Sequence, residues 1–298
     1  MEQLLWLTTN LIADSDKSHV AAFEYQIDKL LGIVLHNFSH QFGPELWGLF
    51  TWCFNVLSAG LQFLKQPDYE IFNLYIVMHY KTILEVVVNN PKVEEKERQD
   101  VRNDLMRISF NCIKDAQDEE INFVVNQTHI QQLAFDLLKE FNLKNVEMCI
   151  RFFGNLFAVN DEICSAYVRN KGIIDVIKKV FTYCSKQTRK EAIWLASNIA
   201  ANSDADAQAL CDSQIMVSLL MACRDSAYEL RKEGMWALSN IIHRLTDEAH
   251  LTKLIEMDVM SCINDILQRD GESGTVASLG LTALNELLTR SDQAKVIF

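Results

Sequence analysis

Three prolines and ten glycines are too few to punctuate a 298-residue chain made of short strands and tight turns. Alternation of β-branched residues is scarce too, whereas apolar residues recur at spacings of three and four, so the chain reads as all-α. The eight cysteines stand singly among apolar helical positions, as at Cys53, Cys149 and Cys223, with no CxxC pair. That excludes a disulfide framework and makes them reduced core residues of an intracellular protein. Basic charge is also short. With 28 Lys and Arg against 40 Asp and Glu the formal charge is −12, so a nucleic-acid backbone would meet net repulsion, and a basic peptide is the better partner. No uninterrupted run of about 18 apolar residues exists and no basic leader precedes an apolar run, so neither a membrane nor secretion is expected.

Chemistry is missing as well. There is no Walker phosphate loop, dinucleotide fingerprint or nucleophile elbow, so neither catalysis nor a cofactor is expected. His36 and His40 in "HNFSH" have the i, i+4 spacing of metal ligands, but no acid or thiol stands beside them, and no metal site is assigned.

What is present is a repeat. "LWLTTNLIA", "LFTWCFNVL", "LMRISFNCI", "CIRFFGNLF", "AIWLASNIA", "GMWALSNII" and "LGLTALNEL" each place an asparagine in one apolar frame: Asn10, Asn55, Asn111, Asn155, Asn198, Asn240 and Asn285. The intervals are 45, 56, 44, 43, 42 and 45, and five of the six suit helical solenoid units of roughly 40 to 47 residues. A second apolar helix recurs between them, starting 17 to 19 residues after the Asn at Ile27, Ile130, Ile174, Ile215 and Val259. In the second repeat Ile83 comes 28 residues after Asn55, which puts a surplus of about ten residues between 56 and 82, around Pro67. The charged run "PKVEEKERQD" reads as a solvated turn and helix start.

Asn is a mediocre helix former, so its retention in mid-helix needs a cause. Each amide could fasten neighbouring helices together, or its donor and acceptor could serve the backbone of an extended peptide. Trp6, Trp194 and Trp236 each stand four residues before an Asn, on the same helix face. Rings beside an amide ladder would form slots for Lys or Arg stems, with cation–π attraction of about 0.5 to 2 kcal/mol each.

"RKEAIWLASNIAANSD" and "LRKEGMWALSN" resemble third helices of armadillo repeats in the importin α (karyopherin α) family, "MEQLLWLTTNLIADSD" is similar to an early repeat, and "IRFFGNLF" to the central one. The resemblance implies a right-handed α-solenoid of about seven armadillo repeats running through residues 1–298 as a single array. It further implies an adaptor of cytoplasm and nucleus that binds extended Lys/Arg-rich, nuclear-localisation-type peptides. By position Trp194, Asn198, Trp236 and Asn240 resemble the family's minor peptide site and would carry most of the binding, with Glu191 and Glu233 receiving cargo cations, and Trp6, Asn10 and Asn155 adding to it. Asn55, Asn111, Arg151 and Asn285 are weaker candidates. Thr51 and Arg107 stand where Trp is expected, and Trp52, one position out of phase, is expected to pack between helices. Lys17, Lys29 and Lys65 are the only basic residues among the first 80, so the basic segment with which the family binds importin β is not expected here, nor is that partner. A non-transport scaffold subunit is the alternative.

Overall fold

The computed structural model describes residues 2–38, 41–60, 80, 83–269 and 271–297. The side chain of His36, all of His40 and most of the surplus stretch around Pro67 lie outside the described residues, as do the readings placed on them. Among the described residues the regular structure is helical, with no strand. The chain divides into two compact units, Met1–Glu140 and Phe141–Phe298.

The first unit runs α1 (Glu2–Ala13), α2 (Asp16–Glu24), α3 (Ile27–Phe38), α4 (Pro44–Ala59), a π turn (Leu84–Val88), α5 (Glu95–Ile113), α6 (Asp118–Thr128) and α7 (Ile130–Glu140). The second begins with α8 (Leu143–Val159) and α9 (Asp161–Ala166), which continues into a π turn (Tyr167–Lys171), followed by α10 (Ile173–Tyr183) and α11 (Lys186–Asn202). It goes on through α12 (Asp204–Asp212), α13 (Ile215–Cys223), α14 (Tyr228–Arg244), α15 (Glu248–Glu256), α16 (Val259–Leu267), α17 (Gly274–Arg290) and α18 (Asp292–Ile297).

The long helices α1, α4, α5, α8, α11, α14 and α17 carry the seven asparagines, and α3, α7, α10, α13 and α16 are the second helices expected from the periodicity. Among the described residues a short helix, not revealed by the apolar pattern alone, also follows the Asn helices α1, α5, α8, α11, α14 and α17. Its start is set by a capping side chain: Ser15, Asn160, Ser203 and Asp247 accept backbone N–H groups of α2, α9, α12 and α15, and Gln117 forms a capping box with Glu120 at α6. The chain then turns sharply through a left-handed residue into the next helix, at Gln26, His129, Gly172 and Asp258. Three of these are not glycine, at a cost of about 1–2 kcal/mol each, so packing fixes the turn.

In the first unit α1 packs on α4 and α4 on α5. Buried Trp47 and Phe50 close against the Phe42 ring. Asp104 of α5 is buried and accepts from Asn55 Nδ2 at 3.3 Å and Arg107 Nη1 at 2.8 Å. Burial pushes its carboxyl up to about 6, against the pull of Arg107. The folded value lies above the unfolded one, so the folded chain holds the extra proton between about pH 4 and 6 and stability falls as pH rises through that window. A displacement from 3.8 to about 6 corresponds to about 3 kcal/mol. Asp104→Asn should flatten that part of the stability profile, which denaturant titrations of both proteins from pH 4 to 7 would reveal.

In the second unit α8, α11, α14 and α17 pack in that order. Phe152, Phe153, Phe157 and Tyr167 form an aromatic core under α8. Polar bonds repeat with the period of the fold. Ser165 Oγ donates to Asp206 at 2.6 Å, Lys253 Nζ to Asp212 at 2.7 Å and Arg224 Nε to Asp265 at 2.7 Å, each across 41 residues. Successive repeats are thus joined in one register by specific pairs as well as by apolar burial. All eight cysteines are free thiols and all but Cys184 are buried, with burial raising Cys53 and Cys211 to about 11.

Candidate functional site: an amide ladder and its aromatic walls

In the second unit two of the amides are fastened in one pattern. Asn198 Nδ2 donates to the Gly154 carbonyl of the preceding long helix at 3.0 Å, and Asn240 Nδ2 to the Ser197 carbonyl at 3.1 Å. Gly154 and Ser197 each immediately precede an Asn, so the donor of one repeat meets the same atom of the repeat before. The stacking role of Asn198 and Asn240 is therefore real. It uses one N–H of each amide and leaves the other N–H and Oδ1 for a second partner.

The rings flank this ladder. Trp194 is half-buried and Trp236 is 41% exposed, each four residues before its Asn. Trp194 lies flat on Gly154, where a Cβ would stand 2.1 Å from Cζ3 of the ring. The glycine is what allows a tryptophan to sit against the neighbouring helix, a role the sequence did not disclose. Gly154→Ala should displace the ring and cost about 1–3 kcal/mol. A red-shifted Trp194 emission with lowered denaturant midpoint would confirm it, and unchanged values of both would refute it.

The acids beside the rings differ. Glu191 is buried and already engaged: Gln187 Nε2 donates to it at 2.9 Å, Lys190 Nζ lies 3.6 Å away and Arg151 Nε 3.7 Å away. Arg151, in the tryptophan position of α8, is thus turned towards the acid that was expected to receive an incoming cation. Glu233 is less satisfied. Its side chain is only 16% exposed, its nearest cation is Lys232 at 3.8 Å, and burial raises its pKa despite Lys232 and Lys190. Asn155 is half-buried in frame on α8, while Asn285 of α17 is exposed, with Leu281 in the tryptophan position.

The first unit departs from the expected frame at α4. Thr51 is 1% exposed and bonded to its own helix, whereas Trp52, expected inside, is 45% exposed. Burial along α4 matches that along α11 when Trp52 is set on Trp194, which sets Val56 on Asn198 and Asn55 on Ser197. The second repeat is therefore displaced by one residue from the Asn-based alignment, about 100° around the helix. Asn55 is not a rung; its amide donates to Asp104. The third repeat keeps its frame by a relay: Asn111 Nδ2 donates to Ser58 Oγ at 2.9 Å, and Ser58 Oγ to the Asn55 carbonyl at 2.8 Å, the counterpart of the carbonyls of Gly154 and Ser197. Trp6 is 62% exposed, and exposed Asn10 donates to the Trp6 carbonyl of its own helix at 2.9 Å. Arg107 stands in the tryptophan position of α5, paired with Asp104.

Among the described residues no group of three or more His, Cys, Asp or Glu is placed to hold a metal ion, and no helix is long and apolar enough to cross a membrane.

Three-helix repeats of about 43 residues, bonded through mid-helix amides, define an all-α solenoid of the armadillo type. Solved structures agree. An engineered protein superposes with a TM-score of 0.73 over 97% of this chain and 65% of its own, at 17% identity. A designed armadillo repeat protein in complex with the peptide (KR)4 superposes with a TM-score of 0.59 over 78% of this chain and 93% of its own, at 18% identity. In sequence the chain is 24% identical over 206 residues to importin subunit alpha-2 of Oryza sativa subsp. japonica. That alignment covers 67% of this chain and 38% of the rice protein, so the chain spans well under half the length of its relative. No family model matches the chain.

Proposed function

We propose that the protein is a peptide-binding adaptor of importin α type, not an enzyme. It receives extended Lys/Arg-rich segments of nuclear-localisation kind, and so acts between cytoplasm and nucleus. The observation that carries this reading is the repetition in register of Trp194 with Asn198 and Trp236 with Asn240, each amide holding one donor and one acceptor outside the stacking bond. The rings take the stems of cationic side chains, the amides take peptide backbone, and Glu233 takes charge. Lys232 and Lys190 offset the burial of its carboxylate only in part, and an arriving cation would complete it. Asn155 would extend the backbone contacts towards α8, and Asn285 those towards α17. In this reading residues 1–298 form one array, because the interval from Asn111 to Asn155, which spans the boundary between the units, is 44, within the range of its neighbours.

The first unit offers Trp6 and Trp52 as walls, but Val56 replaces the amide between them and Arg107 places a cation ahead. It contributes less to a cationic peptide. The engagement of Glu191 by Arg151 favours a second reading, a scaffold whose face is held by its own side chains or a fixed partner. Calorimetric titration with a short alternating Lys/Arg peptide separates the two. The adaptor gives saturable binding that weakens with added salt, weakens again as pH falls and Glu233 is protonated, and is lost when the peptide's lysines become alanine. No heat at micromolar peptide in low salt leaves the scaffold.

A further inference from the structure

The first unit contains a cavity of about 530 Å³ away from the tryptophan and asparagine face, between the Leu84–Val88 π turn, the first half of α5 and the α6–α7 junction. That is within the roughly 300–1,000 Å³ of small-molecule sites. Its lining includes apolar Leu84, Val88 and Leu133 and polar Tyr80, Arg98 and Arg102. Two features of the polar lining are unusual. Tyr80 is fully buried, yet its hydroxyl has no hydrogen-bond partner, and the Nε of Arg98 is buried and unpartnered too. An unpaired buried polar group costs about 1–3 kcal/mol and is rare in native proteins. Here two belong to residues that line one cavity, and both can donate.

Burial raises the Tyr80 phenol above its ordinary value against the pull of Arg102, so the hydroxyl keeps its proton. Arg98 pairs with Glu95 through Nη2, which leaves Nε directed elsewhere, and Arg102 is held by Glu140 at 2.6 Å and Gln99 at 3.0 Å. Asp136, the other acid of the lining, accepts from Gln132 at 3.0 Å. The acids are thus already bonded, whereas the unpaired groups are donors beside two guanidiniums.

We propose that this cavity binds a small organic anion, a carboxylate or phosphate monoester on an apolar body of about one ring, with its oxygens on Tyr80 and Arg98 and its body against Leu84, Val88 and Leu133. Guanidinium donors suit oxyanions of either kind. The site is independent of the peptide reading, because none of the ladder residues lines it.

The test uses the full chain at constant ionic strength, with phenyl phosphate and phenylacetate as probes and inorganic phosphate as control, read by calorimetry and thermal unfolding. One of the two aromatic probes should bind saturably and raise the melting temperature. Tyr80→Phe, which removes only the hydroxyl, and Arg98→Gln should each weaken it about tenfold. Without probe Tyr80→Phe should be at least as stable as the parent, since an unpaired buried hydroxyl is gone. The proposal is overturned if neither aromatic probe saturates at millimolar concentration, or if both variants bind as the parent does. Inorganic phosphate binding as well as phenyl phosphate would mark an adventitious ion only, and would overturn it equally.

Discussion

Replacing both Trp194 and Trp236 by alanine should weaken an alternating Lys/Arg peptide by about 2–4 kcal/mol, roughly 30- to 700-fold. Each ring offers apolar area to a side-chain stem and a π face to its charge, and a buried tryptophan anchor alone reaches about 2 kcal/mol. The two changes differ in structural cost. Trp236 is 41% exposed, and its loss touches little else. Trp194 covers Gly154, so its loss also opens space against α8. Trp194→Phe keeps an aromatic wall and separates the effects: affinity should return most of the way while the gap remains. Trp6→Ala should cost less than either, since Trp6 is followed by Trp52 and Val56 and then by Arg107. Calorimetry of these variants, with denaturant midpoints recorded alongside, decides it. Equal affinity of the double variant and the parent would end the adaptor reading.

Much of this site could be read in the chain, because it is made of repetition. An amide recurring at intervals near 43 residues betrays a ladder before any coordinate is known, since helices that stack in register must place equivalent residues together. The second recurring helix followed from the same spacing. The frame at α4 could not be recovered that way. Asn55 keeps the interval of 45 from Asn10, but the burial of Trp47, Phe50, Cys53, Phe54 and Leu57 turns the helix by one position, leaves Trp52 exposed, and follows these side chains rather than the amide. One Asn in an apolar frame is too little to fix helix rotation when bulky neighbours prefer another.

The short helices that follow the Asn helices escaped for a different reason. α9, α12 and α15 are only six to nine residues long, so apolar periodicity has too few turns to register. Their signal lies in the caps: "NDE", "NSDAD" and "LTDE" follow three successive Asn helices and put Asn160, Ser203 and Asp247 at the helix starts. The engagement of Glu191 by Arg151 had no comparable signal, because the partners are 40 residues apart and meet only through stacking. Carboxylates and guanidiniums on neighbouring repeats can be proposed from a period, but which of them close on each other is decided by packing.

That same dependence makes Glu272→Ala the most damaging single change expected in the second unit. Arg231, in the first turn of α14, is bonded to Glu272 through Nε at 2.6 Å and Nη2 at 3.1 Å, while Nη1 reaches the carbonyls of Asp225 and Ser226 at 3.0 and 2.8 Å. The two side chains are 8% and 4% exposed, so the pair is desolvated. Removing the carboxylate strands a buried guanidinium, which costs about 3–5 kcal/mol, whereas replacing both partners by apolar residues is often neutral or better. Glu272→Ala should therefore be far less stable than the Arg231→Met, Glu272→Leu double variant, and a double-mutant cycle in denaturant would show it. The hydrogen bond from Arg231 holds the Glu272 carboxyl below the usual carboxylate range. Its stabilisation is therefore complete above the unfolded value of about 4.3 and is lost as pH falls through the folded one. Because α14 also carries Trp236 and Asn240, the same single substitution should loosen the tryptophan and asparagine face from the first turn of α14 onward. A cost under about 1 kcal/mol would mean that solvent reaches the guanidinium and that the pair resembles an exposed surface bridge.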